Sequence, residues 1–410
     1  MESPVVEVRI NNNIHSIINF DKKTLTVIGT GSIPDYKKNK SPWAKYKTVI
    51  ETVIIQEGIL YIGAYSFFEF KQLHSFLFPD SLKKIGPYSF YKCDLIDTNT
   101  SQWGGVEYIG EAAFMWCNSP QFNQLPPHLI DVGVLGFACL KKITELYLPP
   151  NTKHLSIFAF GGCSGVEKLS IPKTIDSIDG GFLEEAHNLK LSSIHFYDPD
   201  NQLIECKYKL DYKNNIMYKN DALIQFFYNP DYDKCNFIVP NYITKIYPAA
   251  FYRAYGLTNI TLHENIQYIG YKAFGNTRRL EKIIIPKNVT AIGKGLFFSG
   301  DKKGISNLST VIFDCAINTI DNDMFRGAYN LKTLIINENK PLIEEDAFKD
   351  AKSLVCIICK NGLHMNVPNH QYIFEKNNRD CCTDGDISPG LYIRDNDCVF
   401  HFIHELDASS

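Results

Sequence analysis

The chain has 410 residues, 42 basic against 45 acidic side chains, a net charge of −3 and 45% hydrophobic residues. Such length and apolar content supply a large core and exclude wholesale disorder, while near-neutral charge speaks against a general nucleic-acid or anionic-membrane binder. No window approaches ~18 consecutive apolar residues, so no transmembrane segment is expected. Met1–Arg9 lacks a basic-then-apolar secretory pattern, and the C-terminal stretch shows neither a lipidation box nor a hydrophobic anchor tail, which points to the cytoplasm.

Along the chain, one phrase keeps returning. Ile-Gly-x-x-x-Phe occurs at Ile62–Phe67, Ile269–Phe274 and Ile292–Phe297, and with an identical beginning and end at Ile85–Phe90 and Ile109–Phe114. Degenerate copies start at Val132, Leu155, Ile178, Ile246, Ile320 and Ile343, and successive starts lie 23, 24, 23, 23, 23, 68, 23, 23, 28 and 23 residues apart. Periodicity of this kind marks a solenoid, because one unit cannot bury its apolar face alone but stacked units share a core.

The stretch from Leu280 to Phe297 shows the physics of one coil. Ile283 and Ile285 alternate onto one face of a short strand. Pro286 ends that strand because it has no N–H for a ladder. Val289, Ile292 and Phe297 fill the interior on the return path. The 28-residue spacing holds a polar insertion, Gly300–Gly304, read as a loop. The 68-residue spacing holds a strand with Leu191, Ile194 and Phe196, then a hairpin-like passage from Asn215 to Ile224 with turn residues between two β-prone runs.

These residues closely resemble the BspA-like branch of the leucine-rich repeat proteins. Its repeat runs from a Leu-x-x-Ile-x-Ile-Pro strand to Ile-Gly-x-x-Ala-Phe-x-x-Cys, and Ile109 to Cys117 match the second half nearly position for position. Leu25 to Gly31, with Pro42, Trp43 and Tyr46, is similar to the family's N-terminal cap. The resemblance implies a leucine-rich-repeat solenoid, mostly β, with a parallel sheet of about a dozen 23-residue coils and a cap at each end. It divides the chain into an N-terminal cap (1–49), repeats (50–360, with a hairpin elaboration at about 197–234) and a C-terminal cap or tail (361–410). Family members include bacterial surface proteins that bind host matrix proteins and large sets of surface proteins in parasitic protists. The resemblance therefore implies a non-enzymatic surface or adhesion protein with protein partners. The alternative is an intracellular scaffold of the same fold.

The cysteines fit the scaffold. Cys93, Cys117 and Cys163 each sit three residues after a repeat phenylalanine, and Cys139 two after Phe137. Buried thiols at that small position act as compact hydrophobes, and a reduced ladder is expected rather than a disulfide framework. In the C-terminal segment, Cys356 and Cys359 fall on opposite faces of a strand, so a Cys-x-x-Cys there cannot converge on one metal. Cys381, Cys382, Cys398 and His401 remain conceivable zinc ligands, against the simpler role of covering the last coil. The chain shows no phosphate loop, nucleophile elbow, HExxH or recurring carboxylate pair, so no catalytic, cofactor or metal residue is assigned.

Strand alternation does single out one surface. If Ile283 and Ile285 are buried, Ile284 points outward, and carrying that register gives the column Ile54, Leu77, Tyr147, Ser170, His195, Ile238, Thr261, Ile284, Ile312, Ile335 and Ile358. Seven of these eleven are Ile or Leu. Either the stripe binds a protein partner, with Ile238, Thr261, Ile284, Ile312, Ile335 and Ile358 as its best stretch, or β-branched residues simply suit strands.

Overall fold

The structure, a computed structural model, describes residues 5–94, 96–120, 122–200, 204–227, 235–300, 306–339, 341–344, 347–348, 350–351 and 353–359, and places strands without side chains within 363–404. The polar insertion lies outside the described residues beyond Gly300, as do the side chains of Cys381, Cys382, Cys398 and His401. Two compact units divide the chain, Met1–Lys209 and Leu210–Ser410, a boundary inside the stretch expected to hold the hairpin. Each is built from the same parallel β-coil, about 12 turns in all at about 23 residues per turn. Among the described residues the only helical pieces are two 3₁₀ turns, Ala44–Tyr46 and Leu191–Ser193.

A coil has two short strands and a return turn. The first strands pair in parallel, Thr52–Ile55 with Ser75–Leu77 in the N-terminal unit and Lys282–Ile285 with Thr310–Phe313 in the C-terminal unit. The second strands are the Ile-Gly positions, such as Lys84–Ile85 against Tyr108–Ile109. On the return, backbone N–H groups serve two purposes. Those of Tyr65, Phe67 and Glu69 donate forward to the carbonyls of Pro87, Ser89 and Tyr91 (3.0, 2.7 and 2.8 Å), while Ser89, Tyr91 and Cys93 bend back to Gly86, Tyr88 and Phe90. Ala249, Phe251 and Arg253 do the same toward Tyr271, Ala273 and Gly275. The buried backbone is thus satisfied without a helix.

That pattern needs left-handed residues at fixed places. Tyr65 and Glu69 (φ 56° and 61°), Tyr88 and Lys92, and Ala249 and Arg253 all take positive φ two residues before and two after the repeat phenylalanine. Each non-glycine residue there costs about 1–2 kcal/mol, offset by the bonds between coils. The Ile-Gly glycines answer a different demand. Their φ is ordinary, but a Cβ on Gly270 would lie 2.3 Å from the Pro248 nitrogen, and one on Gly293 2.2 Å from that of Tyr271. They are glycine because neighbouring coils touch backbone to backbone, not because the turn needs their freedom.

The core is a stack of rings. Trp43, Phe67, Phe90, Phe114, Phe137 and Phe160 follow one another at centroid distances of 5.4, 5.0, 5.0, 5.5 and 5.6 Å. In the C-terminal unit Phe251, Phe274, Phe297, Phe325 and Phe348 are spaced at 5.4, 6.2, 5.8 and 5.8 Å. Three residues on, the thiols of Cys93, Cys117 and Cys163 are buried and unbridged. Each donates to the carbonyl of the phenylalanine one coil earlier: Phe67 (3.3 Å), Phe90 (3.1 Å) and Phe137 (3.4 Å). The reduced ladder expected from spacing is therefore also a hydrogen-bonded one. In the C-terminal unit the same place holds Ala254, Thr277, Gly300, Ala328 and Ala351.

Antiparallel strands cover exposed ladder edges. Val5–Arg9, Ile14–Asn19 and Thr24–Gly29 form a meander whose third strand pairs in parallel with Thr52–Ile55. Trp43 locks the first coils, its Nε1 donating to the Ser66 carbonyl at 2.6 Å. At the other end Gly390–Arg394 pairs antiparallel with Cys356–Cys359 and is followed by Val399–His404. The hairpin is present as Ile216–Lys219 against Ala222–Phe226. Ala222–Phe226 also pairs in parallel with Lys245–Ile246 and so contributes a strand to the second sheet.

Candidate protein-binding surface

In the C-terminal unit the first strands put every second side chain into the core. Ile283, Ile285, Val311, Phe313, Leu334, Ile336, Ile357 and Cys359 are at most 1% exposed. The residues between them form the outward column. Ile284 stands opposite Ile312, Ile312 opposite Ile335, and Ile335 opposite Ile358. Ile238 stands opposite Thr261, and the pairing of Asn259 with Lys282 sets Thr261 in step with Ile284. Ile238 is 69% and Ile284 42% exposed, Thr261 is exposed, and Ile312, Ile335 and Ile358 are half-buried. The column ends where Leu391 pairs antiparallel with Ile358.

The surroundings are polar and uncharged for the most part. Lys282, Thr310, Thr333 and Cys356 lie two residues before the isoleucines on the same face. Beyond them Asn337 Nδ2 donates to Asp314 Oδ1 at 2.5 Å, and His263 Nε2 donates to the Pro240 carbonyl at 3.1 Å. Full burial of an exposed isoleucine contributes about 1.5–3 kcal/mol, and the half-buried Ile312, Ile335 and Ile358 retain only part of that to give.

The same column in the N-terminal unit differs. Ile54 and Leu77 are half-buried, Tyr147 is 54% exposed, Ser170 is half-buried and His195 is exposed. Tyr147 stacks on Tyr197 at 5.1 Å, and beside it Lys168 pairs with Glu145 at 2.6 Å. Strand alternation located all of these positions. It did not reveal that the tyrosine is already engaged by another ring, since Tyr197 lies fifty residues further along the chain.

Titration adds little chemistry. Burial pushes the thiols of Cys93, Cys117 and Cys163 well above their ordinary range, and that of Cys315 up to about 12, so none is a ready nucleophile. Cys359 is fully buried while Cys356 faces the other way, so this pair does not converge. Among the described residues no three His, Cys, Asp or Glu side chains gather to hold a metal. No helix among them is long and apolar enough to cross a membrane.

The sequence model of the BspA type leucine rich repeat region matches residues 44–133, 100–205 and 225–355, in six copies. No curated protein matches the chain. A leucine-rich repeat protein from Eubacterium ventriosum shares the architecture at a TM-score of 0.59 and 19% identity, over 99% of this chain and 97% of that one. A leucine rich cell surface protein from Faecalibacterium prausnitzii does so at 0.50 and 18%, over 90% and 96%. At such identities the likeness speaks to the fold alone.

Proposed function

This chain belongs to the BspA-type leucine-rich repeat family, and from that premise we propose that it is a non-enzymatic binding protein that holds a protein partner on the outward isoleucine column of its C-terminal unit. The observation that carries this reading is the register: four successive strands place Ile284, Ile312, Ile335 and Ile358 side by side on a face the core does not use. With Ile238 and Thr261 they make a stripe of the kind that marks interaction sites. The partner is a host or matrix protein and the chain a surface or adhesion protein, in keeping with the cell-surface protein among its structural neighbours. A specific observation favours a second reading, an intracellular scaffold: the three ladder thiols are buried and unbridged, as a reducing compartment would keep them.

Two measurements test this. Antibody labelling of intact against permeabilised cells separates surface from interior, and signal only after permeabilisation would sink the adhesion reading. Solid-phase binding to a panel of matrix proteins, with the wild type beside Ile312→Lys/Ile335→Lys, tests the surface. Saturable binding lost in the variant supports the column, and binding that survives it removes the column from consideration.

A further inference from the structure

Among the described residues of the C-terminal unit, one step of the inter-coil ladder between second strands is missing. Down each unit, the residue after the motif isoleucine donates its N–H to the motif carbonyl one coil earlier: Gly86 to Ile62, Gly110 to Ile85, Gly133 to Ile109, Ser156 to Val132 and Asp179 to Leu155. Tyr247 to Leu223, Gly270 to Ile246, Gly293 to Ile269 and Glu344 to Ile320 continue the series, all at 2.8–3.0 Å. Asp321 should donate to Ile292. Among the described residues no hydrogen bond joins 290–292 to 318–321, and Ala291–Ile292 and Thr319–Ile320 belong to different sheets. On the other side of the same coils the contact is intact, with Lys282–Ile285 paired to Thr310–Phe313 and Phe297 N–H on the Met324 carbonyl at 3.1 Å. The coils therefore part on one face only.

A change in hydrogen bonding goes with the parting. Elsewhere the turn before the second strand closes by a backbone bond across three residues, as Val289 N–H does on Pro286, Ile243 on Pro240 and Ile266 on His263. At Asp314–Ile317 that closing bond is not made. Ile317 N–H goes instead to Asn339 Oδ1 (2.8 Å), and Asn339 Nδ2 to the Ile317 carbonyl (2.9 Å). The turn is tied to the following coil and away from the preceding one. Deeper in, Gly295 N–H, whose counterpart Lys272 finds a backbone carbonyl, is taken by the Asp321 carboxylate at 3.1 and 3.2 Å.

What results is a cleft of about 520 Å³, the size of a ligand cavity. One wall is a strand edge with the carbonyls of Thr290 and Ile292, and the other is an edge with the N–H groups of Asn318 and Asp321. Ile292 at its floor is partly exposed, although its equivalents Ile269 and Ile320 are 0% exposed. Lys294 and Glu344 stand at the lining, one of each charge. Two facing edges with unpaired backbone donors and acceptors, over an apolar floor, match one chemistry: an extended polypeptide, which offers N–H and C=O on both of its sides.

We propose that this cleft takes an extended segment of a partner polypeptide, added as a strand between the edges at Ala291–Ile292 and Thr319–Ile320, with an uncharged apolar side chain on Ile292. The cleft lies on the second sheet and the isoleucine column on the first, so the two sites are distinct.

The test is amide hydrogen exchange on the full chain, with an acetylated, amidated hexapeptide copying residues 289–294 as probe. In the free protein, Asn318 and Asp321 amides are expected to exchange much faster than those of Gly293 and Glu344. At ten times its dissociation constant the peptide should slow them about tenfold, and its amide-methylated form should not. Ala316→Trp, which fills the cleft, should abolish the effect while Gly293 and Glu344 stay protected as the control for folding. Ile312→Lys/Ile335→Lys should keep it, so failure of the column and failure of the cleft are separable. Asn318 and Asp321 already as protected as Gly293 in the free protein, or no slowing at millimolar peptide, would overturn the proposal.

Discussion

The two units of this chain use one coil to different ends. Both stack phenylalanines behind parallel strands, and both close the return with left-handed residues two before and two after the ring. The N-terminal unit fills the place behind the ring with a ladder of thiols, and its outward column mixes Tyr147, Ser170 and His195 with an ion pair alongside. The C-terminal unit fills that place with alanine, threonine and glycine, and its outward column is an isoleucine ridge. Stacking fixes the interior, because each ring must meet the next at van der Waals distance. The outer face answers to no such demand. Where two stretches of one solenoid differ outside while agreeing inside, the difference is the place to look for binding.

The strongest way to probe the shared interior is to remove a ring from each unit. Phe114→Ala and Phe274→Ala should each lower stability by about 3–5 kcal/mol, read by guanidinium unfolding. Phe274→Ala belongs at the lower end, since its neighbours sit at 5.4 and 6.2 Å against 5.0 and 5.5 Å around Phe114. A larger loss at Phe274 would break the equivalence of the two stacks.

The outer difference is tested by charge. Ile312→Lys with Ile335→Lys should weaken partner binding by about 2 kcal/mol or more and cost about 1 kcal/mol or less in stability. Tyr147→Lys with Ser170→Lys should leave binding where it was. Equal losses in the two pairs would mean that the ridge is not special.

Backbone contact between coils gives a smaller effect common to both units. Gly63→Ala and Gly270→Ala should each cost about 1–3 kcal/mol, because the new methyl meets the Pro34 carbonyl at 1.9 Å or the Pro248 nitrogen at 2.3 Å. Unchanged melting in either would remove close approach as the reason for the motif glycine.

The smallest expected effect belongs to the thiols. Their pKa is raised on folding above an ordinary value of 9.0, so the unfolded chain ionises first. The resulting stabilisation is whole below pH 9.0 and declines as pH rises past it. Cys93→Ala/Cys117→Ala/Cys163→Ala should flatten the alkaline fall measured by unfolding between pH 8 and 10, and an unaltered slope would assign that fall to other groups.

Much of this was legible in the order of residues. The spacing of Ile62, Ile85 and Ile109 fixes the coil, alternation around Ile284 fixes which side chains face out, and the place of Cys117 three after Phe114 fixes its burial. Periodic packing writes itself into periodic composition. Other features left no such mark. Nothing in the letters at Tyr65 or Arg253 announces a left-handed backbone, because non-glycine residues were placed there by bonds to the next coil. The Ile-Gly glycines repeat as plainly as the isoleucines, but only the neighbouring backbone shows them to be contact points between coils.

The sequence by itself determined the repeat, the solenoid and the outward register, since each follows from which side chains must be hidden every 23 residues. Tertiary structure alone decided where the ladder stops. That Asn339 captures the Ile317 backbone and leaves a cleft behind it depends on how one coil leans on the next. Side-chain identity sets what a coil must bury. Hydrogen bonds between coils far apart in the chain settle which of its edges remain open.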